Sequence, residues 1–111
     1  MQSTLAQSNM TIVQPNGHIN VANAAVLKQQ LAETVSSHEY SSLLVDMSQV
    51  ESLDSAGLMV FVSTLTLAQR LNKQFGLFGI SPSVRIIFEL TQLDRIFEIF
   101  DTHPTIEAVA A

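Results

Sequence analysis

Residues 44–58 read LVDMSQVESLDSAGL, and the order of residue types in this stretch decides the fold. Leu43-Leu44-Val45 is a short continuous apolar run between polar segments, the pattern of a strand buried on both faces of a parallel sheet. Asp46 closes that strand, a short polar loop follows, and Asp54-Ser55-Ala56-Gly57 opens a helix that runs to about Leu71. Either Asp54 or Ser55 supplies the helix N-cap, or Ser55 is presented to solvent at the helix start for recognition by another protein. Ala56 and Gly57 are small enough to let a second backbone approach the hydroxyl. The positive end of the helix dipole tolerates a phosphate at this place.

Outward from this stretch, strands and helices alternate. Thr11–Gln14 reads as a short strand stopped by Pro15-Asn16-Gly17, a turn cluster. From Asn23, the residues Ala24, Leu27, Leu31 and Val35 recur at helical spacing, with Asn20 or Asn23 as cap and an end near Ser36-Ser37-His38. On the second helix Leu58, Phe61, Leu65 and Ala68 form the inward stripe. Ser55, Met59, Ser63, Thr66 and Arg70 share the opposite, polar-leaning face, and Asn72 ends the helix in the left-handed conformation. Met59 on that face is either an adaptable contact residue or a stray apolar side chain. Phe75–Ile80 is the next strand. Ser81-Pro82 starts a third helix with Val84, Ile87, Phe88 and Thr91 inward, and Ile96–Phe100 is a last strand. Thr102 and Pro104 begin a C-terminal helix reaching about Val109. The fold class is therefore α/β, a central, mainly parallel sheet of four or five strands with about four helices, mostly on one side. Residues 1–10 are an N-terminal segment, read either as a short edge strand or as lacking regular structure, and residues 11–111 form a single domain.

Composition narrows the function. The chain of 111 residues carries a net charge of -5, and its five cations, Lys28, Arg70, Lys73, Arg85 and Arg95, are scattered along it. That argues against direct nucleic-acid binding and against adhesion to anionic lipid, both of which need clustered positive charge. Without cysteine there is no disulfide, thiol nucleophile or thiolate metal site. No apolar run spans a bilayer and MQSTLAQSNM has no secretory pattern, so a cytoplasmic location is expected. The mean hydropathy of +0.29 fits either apolar surface kept for a partner or a sparsely charged exterior.

The DSAGL that follows LVDMSQV resembles the signature of STAS domains, in which an apolar strand, an Asp-rich loop and D-S-x-G-L lead into a helix. GISPSVRIIFELTQLDRIFEIFDT, from Gly79 to Thr102, is similar to the family's strand, Ser-Pro helix, Leu-Asp-Arg turn and final strand. GHINVANA, from Gly17 to Ala24, resembles its Gly-x-Leu-Asp turn and first helix, with Asn20 where the family usually has aspartate. The likeness runs from about Thr11 to Val109. It implies an anti-sigma-factor antagonist, a non-enzymatic binding protein without a cofactor. Its partner would be an anti-sigma factor with serine kinase activity, bound in the unphosphorylated state. Phosphorylation of Ser55 would release that partner and a serine phosphatase would restore binding. The contact surface implied around Ser55 comprises Asn20, Asp54, Ala56, Gly57, Met59 and Ser63. The alternative is a constitutive STAS subunit of a transport or scaffold assembly in which Ser55 is never modified.

Other chemistries find less support. His18, His38 and His103 share no metal-ligand spacing, and Asp46, Glu51 and Asp54 read as loop or capping carboxylates, so no metal is expected. Ser55 lacks the Gly-x-Ser-x-Gly elbow, and as a hydrolase nucleophile it would need a histidine brought to it by the fold.

Overall fold

The computed structural model describes residues 9–101. Its elements run β1 (Met10–Val13), β2 (Gly17–Ile19), α1 (Ala24–Ser36), β3 (Ser42–Asp46), β4 (Val50–Leu53), α2 (Ser55–Arg70), β5 (Gln74–Phe78), α3 (Pro82–Leu90), a 3-10 turn (Leu93–Arg95) and β6 (Glu98–Phe100). Four strands form one sheet in the order β1-β3-β5-β6, all parallel, and β2 pairs with β4 in a separate two-stranded parallel ladder. Parallel neighbours need long crossovers, and the helices supply them. The C-terminal helix expected from Thr102 lies outside the described residues.

β3 occupies the sheet interior, and Leu43, Leu44 and Val45 are all buried. Alternation puts Leu43 and Val45 on one face, beside Phe75 and Leu77 of β5 in register. This row joins Leu27, Leu31 and Val35 of α1, Phe61 and Leu65 of α2, and Val84 and Phe88 of α3 in one hydrophobic cluster. Leu44 points to the opposite face, where its δ-methyl sits beside Gly76 and the Phe100 ring. Phe61 and Phe88 are fully buried, each contributing about 1.5–3 kcal/mol from burial alone. Phe97 bridges the third helix to the sheet, with its ring edge-on to Phe88 at 5.6 Å and tilted against Phe75 at 6.2 Å.

Five details depart from expectation. β2 and β4 lie where a turn and a polar loop were expected. β2 is only three residues long, and β4 exposes Glu51 and Ser52 consecutively between buried Val50 and Leu53, so neither shows the alternation of a half-buried strand. Their pairing shifts register between Gly17 and His18. β5 stops at Phe78 because Gly79 turns the chain at φ +74°, and the last strand loses its first two residues to the 3-10 turn and the bend after it. Thr91 is exposed instead of inward, since its hydroxyl donates back to the carbonyls of Ile87 at 2.8 Å and Phe88 at 3.1 Å as α3 ends. Neither Asn20 nor Asn23 caps α1 through its side chain, because both amides are engaged in the turn before it. The Ser81 cap is present, its Oγ accepting from the Val84 N–H at 3.4 Å, and Asn72 takes the left-handed conformation at φ 58°.

Candidate functional site

The unexpected β2–β4 ladder builds the start of α2. Ile19 and Leu53 are register partners and both are buried, so the chain ends that follow them emerge side by side. Asp54 ties them together. Its backbone N–H donates to the Ile19 carbonyl at 3.1 Å, its Oδ1 accepts from the Gly57 N–H at 2.9 Å, and its Oδ2 accepts from the Val21 N–H at 3.2 Å. Asp54 is therefore the N-cap of α2 and also a clamp on the turn entering α1. The turn is closed further by Asn20, whose N–H donates to Asn23 Oδ1 and whose Oδ1 accepts from the Ala22 N–H, each at 2.9 Å. Asn23 Nδ2 in turn donates to the His18 carbonyl at 2.8 Å. An aspartate at position 20 could accept the same Ala22 bond, so the asparagine keeps the turn and omits the charge.

Because Asp54 takes the capping role, Ser55 is left exposed at the first helical position, and its hydroxyl has no hydrogen-bond partner among the described residues. Gly57 behaves differently from expectation. It is buried, and a Cβ there would lie 2.8 Å from the Ile19 carbonyl oxygen, from Ile19 Cγ2 and from Leu53 Cδ1. Its smallness permits close packing of α2 on β2, on the inner side of the helix, and it does not open room on the solvent side. Ala56 is half-buried against the core, which leaves Ser55 as the prominent group of this turn.

One turn further, Met59 is 54% exposed and Ser63 is half-buried. Both line an open groove of about 490 Å³ between α1 and α2, with Lys28 and Ala32 on one wall and Leu67 and Arg70 at its far end. Val21, 80% exposed, stands at the other side of the Ser55 turn, held there by its bond to Asp54. The sequence reading missed Val21 and the α1 wall. Lys28 and Ala32 are four residues apart and so share a helix face, a spacing that marks a cleft only once the partner helix is known.

The remaining polar groups are spent elsewhere. His18 Nδ1 lies 2.6 Å from Ser52 Oγ and its Nε2 lies 3.7 Å from Glu51 Oε1, all on the exposed β2–β4 ladder. No described histidine bonds Ser55, so the general base that a nucleophilic Ser55 would require is not at its hydroxyl. Asp46 accepts from the Ser48 N–H and from Gln14 Nε2. Among the described residues no three His, Asp or Glu side chains group to hold a metal ion, and no helix is long and apolar enough to cross a membrane.

The STAS domain family model matches residues 2–106. The chain belongs to the STAS family. Within it, the likeness is to anti-sigma factor antagonists. An anti-sigma-B factor antagonist of Listeria monocytogenes is 34% identical over 83 residues, 75% of this chain and 72% of that one. The crystal structure of a Thermotoga maritima protein provisionally assigned as an anti-sigma factor antagonist superposes with a TM-score of 0.78 at 32% identity, covering 90% of this chain and 86% of the other. SpoIIAA in its unphosphorylated form shares the fold alone, with a TM-score of 0.73 at 13% identity over 93% of this chain and 90% of its own. This STAS protein thus belongs to the antagonist group, whose members are non-enzymatic regulators.

Proposed function

We propose that this protein is a cytoplasmic anti-sigma-factor antagonist whose binding is switched by phosphorylation of Ser55. The unphosphorylated form binds an anti-sigma factor that is itself an ATP-dependent serine kinase, and so frees a sigma factor. Phosphate on Ser55 ends that contact, and a serine phosphatase restores it. The observation that carries this reading is the state of the Ser55 hydroxyl: exposed at a helix start, with no partner among the described residues because the neighbouring Asp54 does the capping. A kinase can reach such a group without unfolding the helix. SpoIIAA, of the same fold, is known in both unphosphorylated and phosphorylated forms, which supports a modification compatible with this architecture.

The contact surface in this proposal comprises Asn20, Asp54, Ser55, Ala56, Met59 and Ser63, to which Val21 is added, with Gly57 acting from within. Phosphate brings about -1.5 to -2 charge next to the Asp54 carboxylate, in the middle of this surface. A partner surface shaped for a neutral hydroxyl would have to desolvate that anion without a prepared counter-charge. The test is incubation with ATP and each serine-kinase anti-sigma factor of the source organism, mapping of phosphate by mass spectrometry, and titration calorimetry of both forms. Phosphate confined to Ser55 and loss of affinity on modification are expected. Equal affinities of the two forms for one anti-sigma factor would overturn the switch and favour a constitutive subunit.

A further inference from the structure

Of the five cations in this acidic chain, two have structural tasks visible in the fold. Lys73 Nζ donates to the Ser37 carbonyl at the end of α1, and Arg85 pairs with Asp101 at 3.4 Å. Lys28, Arg70 and Arg95 have no hydrogen-bond or ion-pair partner among the described residues, and the first two of these line the same groove. Arg70 has a secondary reason for its place, since a cation in the last turn of α2 opposes the helix dipole. Lys28 has none, being in the second turn of α1 with no acidic neighbour bonded to it. Between the two cations the groove wall is mostly apolar, from Ala32, Met59, Val62 and Leu67, with the hydroxyl residues Ser63, Thr64 and Thr66 among them. Its length follows from the helix rise: Met59 to Arg70 spans about 16 Å at 1.5 Å per residue, about three helical turns.

We infer that the α1–α2 groove receives a short acidic, amphipathic segment of the protein partner, with aliphatic side chains on Met59 and Leu67 and carboxylates on Lys28 and Arg70. This rests on the proposed function for the identity of the partner, and it adds the chemistry of the contact. Two observations point to this occupant. The groove gathers positive charge that has no partner among the described residues, on a chain of net charge -5, so an acidic segment is attracted here and repelled elsewhere. It is also continuous, through Met59 and Ser63, with the surface around Ser55, so one partner can cover both. A phosphate on Ser55 then lies at one end of a surface already matched to negative charge, and adds repulsion toward the same acidic partner.

Two measurements test the groove separately from the switch. In the first, the probe is the serine-kinase anti-sigma factor that binds in the assay above. The double variant Lys28→Glu/Arg70→Glu is expected to weaken its binding about tenfold or more and to flatten the salt dependence, whereas Arg95→Glu, outside the groove, leaves both unchanged. Unchanged affinity in the double variant overturns the inference while leaving phosphorylation of Ser55 intact. The second measurement needs no anti-sigma factor: NMR titration of the full chain with a 15-residue amphipathic peptide bearing Leu and Glu, and with its Lys-for-Glu counterpart. Shifts at Lys28, Met59, Ser63 and Arg70 with the acidic peptide only are expected. No shift, equal shifts with both peptides, or the same shifts on concentrating the protein alone overturn the acidic occupant, the last in favour of a second copy of this chain.

Discussion

At the scale of single residues, the division of labour between Asp54 and Ser55 separates the stabilising cap from the proposed regulatory hydroxyl. Asp54 makes the helix cap and the bond to the Val21 N–H, so Asp54→Ala is expected to cost about 1–2 kcal/mol in urea denaturation. Ser55 makes neither bond, so Ser55→Ala should change stability by less than about 0.5 kcal/mol while abolishing phosphate incorporation in the kinase assay. A Ser55→Ala loss as large as that of Asp54→Ala would show that the hydroxyl has a structural task after all. Met59 belongs to the same comparison. It is exposed over the groove, so Met59→Glu should lower affinity for the anti-sigma factor in calorimetry and leave the melting temperature nearly unchanged.

Between elements, the contact of α2 with β2 sets where Ser55 emerges. The packing is close enough that no side chain fits at position 57: a methyl would meet a backbone carbonyl, which cannot rotate away as a flexible side chain could. Gly57→Ala should therefore destabilise the fold by about 1–3 kcal/mol, read from denaturant midpoints, although alanine is the better helix former. Wild-type stability in that variant would mean that β2 can shift away from α2 without cost. The β2–β4 ladder is small, yet it fixes the height of this contact by pairing Ile19 with Leu53 immediately before the two turns that converge on Asp54.

For the molecule as a whole, residues of all three described helices and of both inner strands meet in one cluster, with no second core among the described residues. Thermal unfolding should then be a single cooperative transition, with calorimetric and van't Hoff enthalpies equal and far-UV circular dichroism following the same curve. A resolved second transition would show that the β2–β4 ladder or α3 melts independently. The exterior divides by charge on the same scale: carboxylates dominate the chain, and the groove between α1 and α2 collects two cations that have no ion-pair partner among the described residues.

Sequence alone determined the elements whose burial is periodic and the position of the serine proposed here as the switch. Leu27, Leu31 and Val35, or Leu58, Phe61 and Leu65, repeat at helical spacing because each helix buries one side. Leu43-Leu44-Val45 is uniformly apolar because an interior strand is covered on both faces. DSAGL was legible for a related reason, since several constraints coincide within five residues. Tertiary structure alone decided the rest. The β2–β4 ladder has too few inward residues to imprint a period, and it exists because two short segments satisfy each other's backbone across more than thirty residues of chain. Asp54 and Ser55 are equal candidates for the cap in the sequence, and the fold decides between them by setting Asp54 Oδ1 on the Gly57 N–H while its Oδ2 holds the Val21 N–H. Gly57 could be read as space for a partner until Ile19 was seen to fill it. The groove holding Lys28 and Arg70 belongs to two helices at once, and sequence periodicity within either one describes only its own face.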